Sequence, residues 1–306
     1  MTLRFVLARL GHALVTVAVV SVVVFCVVRL TGDPAALMAP PSASKADIDL
    51  LRHQLGLDRP LLVQYASYVG SLARLDFGES IRFRRPAGEL ILERLPATAE
   101  LALSSLLLGI VLGGAVGIVA AVRRNTIVDA LGRLVALVGQ SVPVYWSGIV
   151  LIVVLGVELR LLPVSGRSGW ASLVMPALTI GLYLAAGIAR LVRTSLLEVL
   201  SQEYIKTARA KGLSPSGVIL RHALRNALLP VVTLLGLQFG VLLGGAVITE
   251  TVFAWPGLGQ LSVQAVFARD FTLVQAIVLL SALFLVALNL LMDVAYTYID
   301  PRIRYR

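Results

Sequence analysis

The sequence predicts an all-α polytopic membrane protein with six transmembrane helices, a small extracytoplasmic helical cap and a basic cytoplasmic loop. Three observations predict it. Of 306 residues, 58% are hydrophobic and 14% charged, with a mean hydropathy of +0.89; a soluble domain of this size has no use for so much apolar surface. The apolar residues gather into six runs, each about the length that crosses a ~30 Å hydrocarbon core. The basic residues, which bring the net charge to +10 and the pI to 10.3, sit in short connections beside those runs. That placement fits orientation in a membrane better than nucleic-acid binding.

The first span runs from about Phe5 to Leu30. It is longer than the ~7–15-residue core of a signal peptide, so it reads as an uncleaved anchor. Arg4 and Arg9 place its start in the cytoplasm, and Thr31-Gly32-Asp33-Pro34 stops it. Residues 1–30 therefore form a first unit and residues 31–94 an extracytoplasmic cap. The cap carries balanced charge and two amphipathic candidates, Lys45–Leu55 and Leu61–Leu75. The single cysteine, Cys26, lies in the first span and has no partner for a disulfide.

Residues 95–306 form a five-helix core. Its first span is expected from Arg94 to Val122, with Pro96 near the first turn. Gly109, Gly113 and Gly117 recur there at i, i+4 and i+8, a stripe that lets two membrane helices approach backbone to backbone, for sliding or for static packing. Arg123 and Arg124 mark the cytoplasmic exit. The next span, about Ala130–Leu155, carries Gln140, Ser141 and Pro143. The proline can kink it, and Gln140 and Ser141 are candidates either to line a pathway or to hydrogen-bond a neighbouring helix. Span four, Ala171 to about Leu191 with a continuation toward Leu200, is anchored by Arg190 and Arg193. Span five, from Pro230 to about Ile248, has a second stripe, Gly236, Gly240 and Gly244, with Gln238 between as a third pathway candidate. Glu250–Gly259 reads as an outer turn whose Trp255 suits the interface. Span six, about Thr272–Tyr296, contains Asn289 and Asp293 and ends at Asp300-Pro301-Arg302-Ile303-Arg304 in the cytoplasm; Asp293, near that end, is expected to be solvated.

The most informative stretch is Glu203–Pro230. Lys206, Arg209, Lys211, Arg221 and Arg225 oppose only Glu203, so this connection belongs on the cytoplasmic side. Gly212 is a helix stop, and Ser214-Pro215 is a cap followed by a first-turn proline; two short helices follow. Tyr204, Ala208, Lys211 and Gly212 share one face of the first, where small residues would admit another protein. The string Glu-Tyr leading to Thr-Ala-Arg-Ala-Lys-Gly, then Arg-His-Ala-Leu-Arg-Asn-Ala-Leu before Pro230, resembles the "EAA" loop of inner-membrane permeases of ABC importers, in the dipeptide/oligopeptide/nickel branch. Of the general Glu-Ala-Ala…Gly pattern only Ala208 and Gly212 match; the branch-specific form matches throughout. Leu55-Gly56-Leu57-Asp58-Arg59-Pro60, Asp76-Phe77-Gly78 and the phrase around Trp255-Pro256-Gly257 are worded like the same branch.

The resemblance implies a coupling helix comprising Glu203, Tyr204, Thr207, Ala208, Arg209, Ala210, Lys211, Gly212 and Leu213, within a loop spanning residues 203–228. It implies as partners a second homologous permease, cytoplasmic ABC ATPases and an extracytoplasmic substrate-binding protein, in a bacterial inner membrane with both termini cytoplasmic. The expected cargo is a dipeptide or oligopeptide, with nickel or another small solute as the alternative. The chain carries no P-loop motif, H-E-x-x-H or G-x-S-x-G, and His12, His53 and His222 are scattered. It is therefore expected to be non-catalytic, with no metal or cofactor of its own; ATP and magnesium are expected on the partner ATPases. An ion-coupled secondary transporter would need a buried charged pair, and no such pair is evident.

Overall fold

The computed structural model describes residues 3–30, 35–36, 39, 42–54, 56–244 and 246–299. The expected stop at Thr31–Pro34, the tail from Asp300 and the side chains of Arg4 and Asp293 lie outside the described residues. The chain is helical nearly throughout and forms two compact units, Met1–Pro96 with Gly257–Arg306, and Ala97–Pro256. Among the described residues, four helices are long and apolar enough to cross a membrane, and two bent pairs bring the number to six if each is one span.

The first unit holds α1 (Leu3–Leu30), the cap helices α2 (Lys45–Gln54) and α3 (Leu61–Ala73), the first turns of α4 (Ala87–Val122), α13 (Leu258–Phe267) and α14 (Phe271–Ile299). Both cap helices fall where the sequence places them. At the start of α2, the Ser44 amide donates to the Asp47 carboxylate at 2.9 Å and the Asp47 amide to the Ser44 hydroxyl at 3.3 Å, a reciprocal N-terminal cap. Helix α3 lies against the C-terminal half of α1: Tyr65 meets Phe25 edge to face and shares a 2.8 Å hydrogen bond with Ser21. The core of the unit packs Leu90 and Ile91 against Leu258, Leu261, Leu273 and Ile277. Asp270, fully buried, accepts from the Ser80 hydroxyl and from the amides of Arg82 and Leu273. It thereby caps α14 and fixes the turn preceding α4.

The second unit is organised around α7 (Trp170–Leu200). Of its most apolar window 56% is buried, against 22–33% for the other three long helices. The stripe on α4 faces it. A Cβ on Gly113 would overlap the Ala185 carbonyl oxygen, and one on Gly117 would lie 2.6 Å from that of Ala189; on α7, a Cβ on Gly181 would lie 2.9 Å from Leu108 Cβ. Contact partners rise together along both chains, from 105–108 with 181 to 117 with 192, so α4 and α7 run in the same direction. The segment between them must cross back.

That segment bends at Pro143, where a kink is expected, and the bend amounts to a break in the helix. It is α5 (Ile127–Ser141), α6 (Val144–Leu151) and a π-helical stretch, Ile152–Glu158, with a 96° bend between the first two helices. Val142, the residue before Pro143, takes an extended conformation (φ −78°, ψ 124°), as the proline ring demands. The two helices still make one antiparallel passage along α7: Asp129 meets Arg193, Gly139 meets Ala186, and Gly148 meets Thr179. Pro96 is a correction. It lies inside α4, which starts at Ala87 directly after Pro86.

The fifth span is also shorter than expected. Helix α11 (Leu229–Leu243) ends at Gly244, and a separate helix, α12 (Val247–Val252), follows. Fifteen residues rise only about 22 Å. The apolar length is completed through a 50° bend by the segment Pro215–Ala227, which the sequence reading assigned wholly to the loop. Gly236 and Gly240 are buried on α11, whereas Gly244 is its cap and no third member of a helical stripe.

Candidate coupling loop and polar cleft

The loop begins with α8 (Glu203–Ala210). Gly212 follows at φ +79°, a conformation that costs an L-residue with a Cβ roughly 1–2 kcal/mol, so the chain turns there. Ser214 then caps α9 (Pro215–Gly217) by accepting from the Gly217 amide at 3.2 Å, with Pro215 in the first turn. A π-helical stretch, Val218–Ala223, and α10 (Leu224–Ala227) lead into α11.

The expected partner face of α8 is only partly open. Ile205 and Ala208 are buried against Ala121, Leu196, Val218, Ala223 and Ala227 of the same chain. Ala208 is small because α8 sits on its own core, and not to admit another protein. What faces outward is Glu203, Tyr204, Lys206, Thr207, Arg209 and Ala210, followed by Lys211, Gly212 and Leu213. Lys206 pairs with Glu203 at 2.7 Å, and the Tyr204 hydroxyl accepts from the Asn226 amide at 2.8 Å. The exposed surface is mainly basic, and Ile205 and Ala208 beneath it seat α8 on α7 and the end of α4.

Two of the three pathway candidates come together. Gln140 and Gln238, 98 residues apart in the chain, line one cleft of about 410 Å³ with Tyr183, Arg190 and Thr194; Leu184, Leu234 and other apolar residues complete its wall. Gly187 makes room for Gln140, whose amide nitrogen would lie 3.1 Å from a Cβ there. Ser141 is not among the lining residues; its hydroxyl bonds the Leu137 carbonyl one turn back at 2.9 Å.

Two buried polar groups escaped the sequence reading. Arg193 grips Asp129 through Nε at 2.6 Å and a terminal nitrogen at 2.9 Å, with Asp129 fully buried and Arg133 3.6 Å away. Arg193 is thus a partner for a buried carboxylate and no simple interfacial anchor. The cue is the pairing of a lone acid, Asp129, near the start of one apolar run with one of the two bases, Arg190 and Arg193, near the end of the next. At the opposite end of the unit, Glu250 is fully buried and accepts from the Thr98 hydroxyl at 2.9 Å. Trp255, expected at the interface, is also fully buried, and its indole N–H donates to the Ala97 carbonyl at 2.8 Å. Arg167 reaches over that ring and pairs with Glu100 at 2.7 Å. The turn at Glu250–Gly259 therefore acts as a latch on the start of α4 within this unit.

Residues 113–305 match the family described as binding-protein-dependent transport system inner membrane component, and residues 2–102 match its N-terminal membrane component. The chain belongs to that family. Among its relatives, glutathione transport system permease protein GsiC of Escherichia coli (strain K12) is 46% identical over 305 residues, covering 99% of this chain and 100% of that one; GsiC of Salmonella typhimurium (strain LT2) is equally similar over the same span. Among solved structures, the MetNI methionine ABC transporter in an inward-facing conformation matches 69% of this chain and 96% of its own at a TM-score of 0.60 and 21% identity. An amino acid ABC transporter crystallised with histidines matches 69% and 94% at 0.55 and 14%. These last two show the fold. The chain is a multi-pass permease subunit of an ABC importer.

Proposed function

We propose that this permease moves small peptides of the glutathione type into the cell. Similarity to two glutathione permeases along the entire chain carries this reading, and a cleft whose polar residues are mostly neutral suits a peptide better than a bare metal ion. The permease pairs with a second, homologous one, receives cargo from an extracytoplasmic binding protein and does no bond chemistry itself; partner ATPases bind ATP and magnesium. The basic ends Arg123, Arg124 and Lys206–Arg225 face the cytoplasm, as do both termini, with residues 31–94 outside.

The exposed face of α8 is the part an ATPase grips. Its base rests on Leu196 and Ala121, so a push on α8 reaches α7 and α4 directly, and with them Gln140, Gln238 and the cleft wall. The test is uptake of labelled glutathione, of a tripeptide and of nickel by proteoliposomes holding the permeases and ATPases, with the binding protein added. ATP-dependent accumulation of either peptide, lost when the ATPase is omitted, is expected. Accumulation of nickel alone would overturn the peptide reading. Cysteines at Ser67 and Ser216 check orientation: the first should react with an impermeant reagent in intact cells and the second should not.

A further inference from the structure

A second cleft, of about 280 Å³, opens where α4, α5 and α7 converge. Its inner wall is apolar, with Val116, Ala120, Ala136 and Leu137, and its rim carries Arg133, Arg190 and Arg193. Among the described residues, Asp129 is the acid paired with these arginines, and Arg193 engages both of its oxygens. Arg133 is exposed and stands 3.6 Å from the same carboxylate; Arg190 is exposed and forms no ion pair among the described residues. The rim therefore holds two positive charges beyond the one that Asp129 neutralises.

The depth of the cleft matters as much as its charge. Trp170, largely exposed, marks the outer end of α7, and twenty residues on, about 30 Å along the axis, comes Arg190. That is the thickness of the hydrocarbon core, so the rim sits at headgroup level. Val116 lies about two turns below Arg123, the residue after the end of α4, hence within the hydrocarbon. Leu131, Leu134 and Leu137 on α5 are exposed beside it. A cationic rim over an apolar trough at this depth matches one amphipathic ligand.

We propose that this cleft binds an anionic phospholipid of the inner leaflet, with the phosphate at Arg133 and Arg190 and an acyl chain along Val116, Ala120 and Leu137. A basic recess between membrane helices on the cytoplasmic side is suited to such headgroups. Free phosphate would leave the apolar trough empty, and a zwitterionic lipid would bring a choline ammonium toward two arginines. The proposal rests on the orientation given above, which the cysteine-labelling experiment reads independently.

The test is native mass spectrometry of the full chain, with its co-purifying subunits, titrated with dioleoyl-phosphatidylglycerol or dioleoyl-phosphatidylcholine. Wild type should bind the anionic lipid at least tenfold more tightly. Arg133→Gln with Arg190→Gln should weaken it about 25-fold, fivefold for each arginine, corresponding to ~1 kcal/mol per basic residue near the surface. Lysine at both positions should restore most of the loss, and Arg84→Gln, in the first unit, should change nothing. Equal binding of the two lipids by wild type, unchanged binding by the double glutamine variant, or an equal loss in Arg84→Gln would each overturn the site. Since both arginines are exposed and Asp129 keeps Arg193, the variants are expected to melt like wild type. Reactive cysteine at Ser216 from outside, with anionic lipid still bound at the rim, would refute the orientation and place the lipid in the other leaflet.

Discussion

Gly113 and Gly114 are adjacent in α4 and differ only in the side they face. A Cβ on Gly113 would overlap the Ala185 carbonyl oxygen and lie 2.9 Å from both Ala185 Cα and Ile188 Cβ; one on Gly114 would meet nothing within 4 Å. Replacing either by alanine alters helix propensity equally, by up to about 1 kcal/mol, so the difference between the variants isolates the steric effect. Carbon atoms rest about 3.5 Å apart or more. Gly113→Ala must therefore separate α4 from α7 by at least about 0.6 Å, enough to forfeit a quarter or more of the dispersion energy at that crossing. Overpacking of this kind costs about 1–3 kcal/mol, and 2 kcal/mol is about a thirtyfold change in the folded-to-unfolded ratio. Gly117→Ala, 2.6 Å from a backbone oxygen, should follow closely, and Gly109→Ala, 2.9 Å from the Leu184 side chain, should be milder. The assay is denaturant-induced unfolding of the purified proteins in one detergent. If Gly113→Ala and Gly114→Ala unfold within 0.5 kcal/mol of each other, about the scatter of neutral substitutions, the stripe does not hold the two helices together.

Three further outcomes follow from the geometry. Arg193→Gln leaves the buried Asp129 carboxylate without its bidentate partner and should destabilise by about 3 kcal/mol or more; Asp129→Asn in the same chain should recover part of that loss in the same unfolding assay. Trp255→Phe keeps the ring in the latch but removes its hydrogen bond to the Ala97 carbonyl, a cost of about 0.5–1.5 kcal/mol, whereas Trp255→Ala should approach 3–5 kcal/mol. Gly212→Val should leave insertion and melting nearly unchanged while lowering ATPase co-purification or ATP-driven uptake severalfold, because a β-branched residue resists the positive φ that ends α8. Wild-type ATPase retention and uptake in that variant would show that the turn after α8 does not transmit.

Much of the architecture was legible in the sequence, because span length, basic ends and caps are local signals. Lys45–Gln54, Leu61–Ala73, the long α7, the positive φ of Gly212 and the Ser214 cap lie where short-range chemistry puts them. The misses share one cause: each depends on a partner remote in sequence. The kink expected at Pro143 is a 96° break, whereas Pro96 and Pro176 lie inside continuous helices, and hydropathy does not set the size of the bend. Trp255 is an interfacial residue by composition and a core residue only because Ala97 offers it a carbonyl. Asp129 looks like a loop acid until Arg193, 64 residues later, closes on it.

The same remoteness explains how the loop can be exposed and yet anchored on a core. An ordinary basic connection between spans would bury nothing, but α8 buries Ile205 and Ala208 on Ala121 at the end of α4 and Leu196 on α7. Farther along, those two helices meet through glycines with no side chain between their backbones. A displacement of α8 therefore has no soft layer to dissipate in before it reaches the wall shared by Gln140, Gln238 and Arg190. This predicts a different outcome for Ala208→Trp than bulk on an open face would give. The indole cannot fit beneath α8 and must lift the helix from its seat, so unfolding of the purified subunit should move to lower denaturant even with no ATPase present. If the isolated variant is as stable as wild type and only ATPase binding fails, Ala208 faces the partner, and the rigid path from α8 to the cleft loses its first link.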